Sequence, residues 1–150
     1  MQIQWGSQYN LGIKMIDDQH QWLINLYNKI DSAKSRNQPV EILGTYMKGL
    51  LHYTRFHFNA EENELKRIDY KQFVEHKDSH ERFIKKINES LQEFDQGNEE
   101  VVVYVLDYLK DWLLNHIMRE DKKYVPLMKT ATNSMFFQSA AAAQSFERTI

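Results

Sequence analysis

Residues 76–80 read "HKDSH". The chain has six histidines, and this stretch places two of them, His76 and His80, four positions apart. Four residues is about one helical turn, so both imidazoles project from one helix face. That face continues in both directions through Phe73, Phe83, Ile87, Leu91 and Phe94, at steps of three and four. An apolar stripe of this kind turns toward a core, and it carries the two histidines with it. Surface histidines also fall into this spacing, so the pair is decided by what surrounds it.

Three more stripes surround it. The first helix is expected from about Ile16 to Ser35, with Ile13, Ile16, His20, Leu23, Tyr27 and Ile30 aligned. "RNQPV" ends it, because Pro39 cannot continue a helix but is well placed to begin one. The second runs from Val40 to about Lys66 and turns Leu43, Met47, Leu50, Thr54, His57 and Glu61 inward. The "HKDSH" helix is the third, from about Lys71 to Phe94. "DQGNEE" breaks the pattern, and Asn98 is placed to cap a fourth helix from Glu99 to about Met128. Its stripe is Val102, Val105, Leu109, Trp112 and His116. The valines at 101–103 would suit a strand, but the longer helical period overrides them.

Four helices of similar length with short connections imply an all-α fold, an antiparallel up-down-up-down four-helix bundle. Residues 1–12 form a non-helical N-terminal arm, with Trp5 and Tyr9 available to pack on the bundle. The bundle domain is assigned to 1–129. Residues 130–150 form a C-terminal extension or linker, a "TATNS" loop followed by a short alanine-rich helix. A signalling domain beyond residue 150 is one reading of that tail.

Composition narrows the chemistry. With no cysteine among 150 residues, disulfides, thiolate metal sites and cysteine nucleophiles are excluded, and a reducing cytoplasm is the expected setting. A net charge of -2 without a basic block gives no nucleic-acid partner. No apolar run approaches the roughly 20 residues that span a bilayer, so no membrane partner is expected.

The inward stripes are not uniformly apolar. They carry His20, His57, Glu61, His76, His80 and His116, and buried imidazoles and carboxylates need partners. Antiparallel order puts all six toward one end: His20 early in the first helix, His57 and Glu61 late in the second, His76 and His80 early in the third, His116 late in the fourth. "HIMRED" adds Asp121, five positions after His116. In a regular helix that is about 140° around the axis, so Asp121 is expected to reach in from the flank rather than stack on His116. Five histidines and two carboxylates exceed the four ligands of a tetrahedral zinc. Two metals can use them all if Glu61 and Asp121 bridge, and imidazole with carboxylate suits iron.

The set His20, His57-x-x-x-Glu61, His76-x-x-x-His80, His116-x-x-x-x-Asp121 resembles that of the hemerythrins, specifically the bacterial hemerythrin-like domains. "LGIKMIDDQH", "HFNAEEN" and "WLLNHIMRED" look like signatures of the same family. The resemblance covers residues 1 to about 128. It implies two iron ions bridged by oxo or hydroxo: His76, His80 and His116 on a six-coordinate iron, His20 and His57 on a five-coordinate one, Glu61 and Asp121 bridging. Dioxygen is the implied partner, at the open position. Phe58, Trp112, Leu113 and Ile117 match the family's apolar oxygen pocket, and Tyr124 is placed to hydrogen-bond a carboxylate. His52 falls outside the pattern. Glu62, Glu64, Asp17 and Asp18 read as solvated or dipole-favouring charges, and Trp5 and Trp22 as packing residues.

The function implied is reversible dioxygen binding as a carrier, store or sensor, with no catalytic residue assigned. The alternative is a di-iron oxidase, peroxidase or nitric oxide reductase. Oxygen-activating bundles use a carboxylate-rich Glu-x-x-His set, whereas this one is histidine-rich, which favours binding over turnover.

Overall fold

The structure, a computed structural model, describes residues 1–132. Four helices occupy them in the expected order: α1 Lys14–Ser35, α2 Val40–Arg67, α3 Phe73–Asp95 and α4 Val101–Asn115. A π-helical turn, His116–Asp121, follows α4 directly, and the chain is α-helical again over 122–132. Helix α1 packs on α2 and α4, and α3 on α2 and α4, which closes the up-down-up-down bundle. There is no strand among the described residues; the valines at 101–103 are helical.

The three turns between helices share one device. Asn37, Asp69 and Gly97 each take a left-handed conformation (φ 50°, 51° and 97°) just past a helix end. The amide of the next residue then reaches back five positions: Gln38 to Ala33, Tyr70 to Leu65, Asn98 to Glu93, at 2.9–3.0 Å. This closes the last helical turn and satisfies carbonyls that a helix end leaves unpaired. Asn98 does not cap α4 as expected. Its side chain bonds Glu93 at 3.1 Å, and α4 has no side-chain cap.

The apolar core runs the length of the bundle, through Leu23, Ile30, Met47, Leu50, Phe83, Ile87, Val102, Val105 and Leu109, each 1 % exposed or less. The arm lies against it as expected, with one 3₁₀ turn at Ser7–Tyr9. Asn28 clamps the arm by bonding both the amide and the carbonyl of Ile3, at 2.8 and 2.7 Å. Tyr9 is buried and Trp5 packs beside it, ring centroids 5.7 Å apart. Trp22, expected to pack, is instead half exposed and stacks on Tyr53 at the surface.

Of the loop expected from Thr130, residues 130–132 are helical; the rest lies outside the described residues. The alanine-rich helix expected further on lies outside the described residues.

Candidate metal centre

Each helix delivers its share by period alone. One turn separates His57 from Glu61 on α2, and His76 from His80 on α3, while α1 brings His20. The fourth contribution departs from expectation. Asp121 does not come from the flank. His116–Asp121 is a π turn, and widening the hydrogen-bonded ring to i→i+5 brings residues five apart much closer to one face than an α-helix does. His116 Nε2 and Asp121 Oδ1 are thereby 3.0 Å apart.

All seven side chains are buried, the most exposed at 5 %. They fall into two groups joined by the carboxylates. Glu61 Oε2 faces His57 Nε2 at 3.3 Å, while Glu61 Oε1 faces His76 Nε2 at 2.5 Å and His80 Nε2 at 3.6 Å. Asp121 repeats the split: Oδ2 lies 3.2 Å from His20 Nε2, and Oδ1 lies 3.4 and 3.0 Å from His76 and His116 Nε2. Each carboxylate therefore offers one oxygen to a two-histidine group and the other to a three-histidine group. All five imidazoles present the same nitrogen inward.

Apart from the His76–Glu61 hydrogen bond, the carboxylate oxygens converge on the imidazoles without being satisfied. Glu61 Oε2 and both Asp121 oxygens are enclosed and have no hydrogen-bond partner. An orphaned buried acceptor costs about 1–3 kcal/mol, more when charged. His80 Nε2 and His116 Nε2 stand 3.1 Å apart, two nitrogens aimed at one point. Such a set fits divalent cations, which take carboxylate and imidazole lone pairs together. Glu61, His76, His80 and His116 can offer ligand atoms within 4.8 Å of one another, and so can His20, His57 and Glu61.

The description "Hemerythrin HHE cation binding domain" belongs to the family model that matches residues 11–128. The chain belongs to the hemerythrin family. It is 31 % identical over 125 residues to a bacteriohemerythrin of Clostridium acetobutylicum, covering 81 % of this chain and 97 % of that protein. To the bacteriohemerythrin of Methylococcus capsulatus it is 29 % identical, covering 82 % and 93 %. A solved wild-type hemerythrin superposes with a TM-score of 0.73 at 28 % identity, covering 84 % of this chain and 97 % of that one.

The electrostatics of this hemerythrin site follow from burial set against close partners. Burial and the Asp121 charge push the Glu61 carboxyl up, but the His57 and His76 imidazoles outweigh them and hold it at about 2. Burial likewise raises Asp121, and His116, His20 and His76 overcome it, leaving the group well below its ordinary value. Burial alone would lower His76, yet Asp121 and Glu61 lift it to about 10. Burial dominates at His57 and His80 and lowers both. Of these three histidines, the carboxylates favour the protonated form of His76 alone.

Aromatic rings wall the cluster. Phe58 lies parallel on His80 with centroids 3.7 Å apart, and Trp112 stacks on His116 at 4.1 Å. Leu113 and Ile117, one turn apart beside His116, are each 1 % exposed. Tyr124 is fully buried with its ring 5.7 Å from that of His76, and its hydroxyl has no hydrogen-bond partner. Burial, with Asp121 and Glu61 close by, drives that hydroxyl well above its ordinary pKa. His52 is exposed, as its position off the pattern implied.

Two residues at the site have roles that the stripes do not reveal. Gln19 Oε1 accepts from His57 Nδ1 at 2.7 Å. Glu62 accepts from His80 Nδ1 at 2.9 Å, so it is not the solvated charge expected. Asp17 stands in the first turn of α1, as a dipole-favouring charge should, but it is not solvated. It is buried and accepts the amides of Leu11 and Gly12 at 2.8 and 2.9 Å, pinning the arm to α1. The one available signal was adjacency, since Gln19 and Glu62 each neighbour a stripe member in sequence.

Proposed function

We propose that the chain binds dioxygen reversibly at a pair of iron ions, as a carrier, store or sensor in the cytoplasm. The observation that supports this most is the split of Glu61 and Asp121, each with one oxygen toward each histidine group. On this reading His76, His80 and His116 hold one metal, His20 and His57 the other, and Glu61 and Asp121 bridge. Iron ions held there would supply the reversible redox chemistry that dioxygen binding requires.

The chain's own residues do the rest. Five neutral imidazoles contribute no charge, and the two carboxylates would cancel about half the charge of two divalent cations, which lowers the cost of burying them. Leu113, Ile117 and the Phe58 ring exclude water, and Trp112 covers His116 from the solvent side. A dry pocket favours release of the intact gas, because admitted protons would divert it to other products. The buried Tyr124 hydroxyl, which has no hydrogen-bond partner in the fold, would be free to donate to a bridging carboxylate.

The names of the relatives fit an oxygen-binding protein rather than an enzyme, and the histidine-rich donor set argues the same way. The test is anaerobic loading with ferrous iron, then exposure to oxygen. An absorption change that reverses under vacuum, over repeated cycles, is the expected result. Irreversible change with steady oxidation of an added reductant would favour the di-iron oxidase or peroxidase reading.

A further inference from the structure

The two halves of the cluster are backed differently. On the two-histidine side, the His57 Nδ1–H donates to an amide oxygen, Gln19 Oε1, at 2.7 Å. On the three-histidine side, the His80 Nδ1–H donates to a carboxylate, Glu62 Oε1, at 2.9 Å. Both bonds fix the same tautomer and leave Nε2 free to face the centre. They differ in strength of pull. A carboxylate draws on the Nδ1 proton about twice as strongly as a neutral acceptor, which makes the imidazole a better donor through its other nitrogen.

Two further observations point the same way. His20 Nδ1 is enclosed with no partner at all, so the two-histidine side has no charged support. The three-histidine group with Glu61 gathers four ligand residues, whereas the other gathers three.

We propose that Glu62 and Gln19 set the order of metal loading, so that the three-histidine position takes its divalent cation first and more tightly while the two-histidine position fills second. The proposal rests on the two-metal reading above and deepens it. Glu62 and Gln19 are positioning residues here, acting through His80 and His57. The position with fewer ligands, where the gas is expected, is then also the one whose metal exchanges more readily. Glu62 lines the surface groove between α2 and α3 with Arg55 and Lys77, so its substitution leaves the closed core intact.

The experiment uses the full chain, stripped with chelator and titrated with Co2+, following heat by calorimetry and paramagnetically shifted histidine signals by NMR. At one equivalent, the large contact shifts of directly bound imidazoles are expected from His76, His80 and His116, and from His20 and His57 only with the second. Glu62→Gln, which keeps shape and hydrogen bond but removes charge, should weaken the first step by about 10–100-fold and leave the second. Gln19→Glu should strengthen the second step by about tenfold. The double variant should bring the two steps together or invert them, an outcome that a merely structural role would not produce. Equal filling of both positions at one equivalent, or an equal loss in both steps on Glu62→Gln, would overturn the proposal alone. Failure to bind two Co2+ per chain would overturn the two-metal reading with it.

Discussion

The two ends of this bundle are built by the same four helices on the same stripes, yet they solve opposite problems. At one end Ile30, Met47, Ile87, Val102 and Val105 meet as hydrocarbon, each 1 % exposed or less. Their geometry needs only volume and shape. At the other end five imidazoles and two carboxylates occupy equivalent inward positions, and burial there is tolerated only because every charge has opposite or metal-binding company. Helical period places side chains inward at either end without regard to chemistry. What distinguishes the site is mutual partnership across four elements, together with one local departure, the π turn, that the apolar end does not use.

The sharpest way to break the comparison is to put a carboxylate where it has no company. Ile87→Asp, two turns along α3 from His80, is expected to lose about 5 kcal/mol or more, enough to leave the chain marginal or unfolded. Circular dichroism during denaturant unfolding measures it. A stable, folded variant would mean that the polar end owes nothing to its pairing.

Met47→Ala tests the apolar end by its own rule, volume. Met47 is fully buried, and its truncation should cost about 2–5 kcal/mol in urea unfolding while metal stoichiometry stays unchanged. Metal should act in the reverse sense, on the polar end alone. At a hundredfold excess over Kd, a bound divalent cation should add about 2.7 kcal/mol, seen as a higher Tm that chelator removes.

The pH response sharpens the contrast for chelator-treated protein. Glu61 is held at about 2 in the fold, so the stability it contributes is present above its unfolded value and lost as pH falls toward 2. His76 is raised to about 10, so its contribution is complete below its unfolded value and lost as pH rises through 10. His57 and His80, both lowered by burial, resist protonation and remove stability as pH falls below the ordinary histidine range. The urea midpoint should therefore peak near neutrality and fall on both sides. A flat profile would contradict the charge arrangement. The smallest effect is expected at His52, exposed and off the stripe: His52→Ala should shift stability by no more than about 0.5 kcal/mol and leave metal uptake unchanged.

Much of this was legible in the sequence. The steps of three and four that align Leu43, Met47 and Leu50 also align His57 and Glu61, so the fold and most of the site follow from one periodic signal. Asp121 was found by residue type but placed wrongly around its helix, because the regular period was extended through a π turn. Its spacing of five from His116 was the only trace of that turn. Gln19, Glu62 and Asp17 stayed hidden for a different reason. A stripe identifies what faces the centre of the bundle, and these three sit one position off it, on flanks where a polar side chain looks the same whether it bonds an imidazole, an amide or water.

The central claim is that Glu61 and Asp121 each span two metal positions, one flanked by His76, His80 and His116 and the other by His20 and His57. Anomalous diffraction at the iron edge, from crystals of iron-loaded protein, tests it most directly. Two separate iron peaks are predicted, one against each histidine group, with both carboxylates between them. A single peak, or His20 and Asp121 turned away from the metal, would contradict the account.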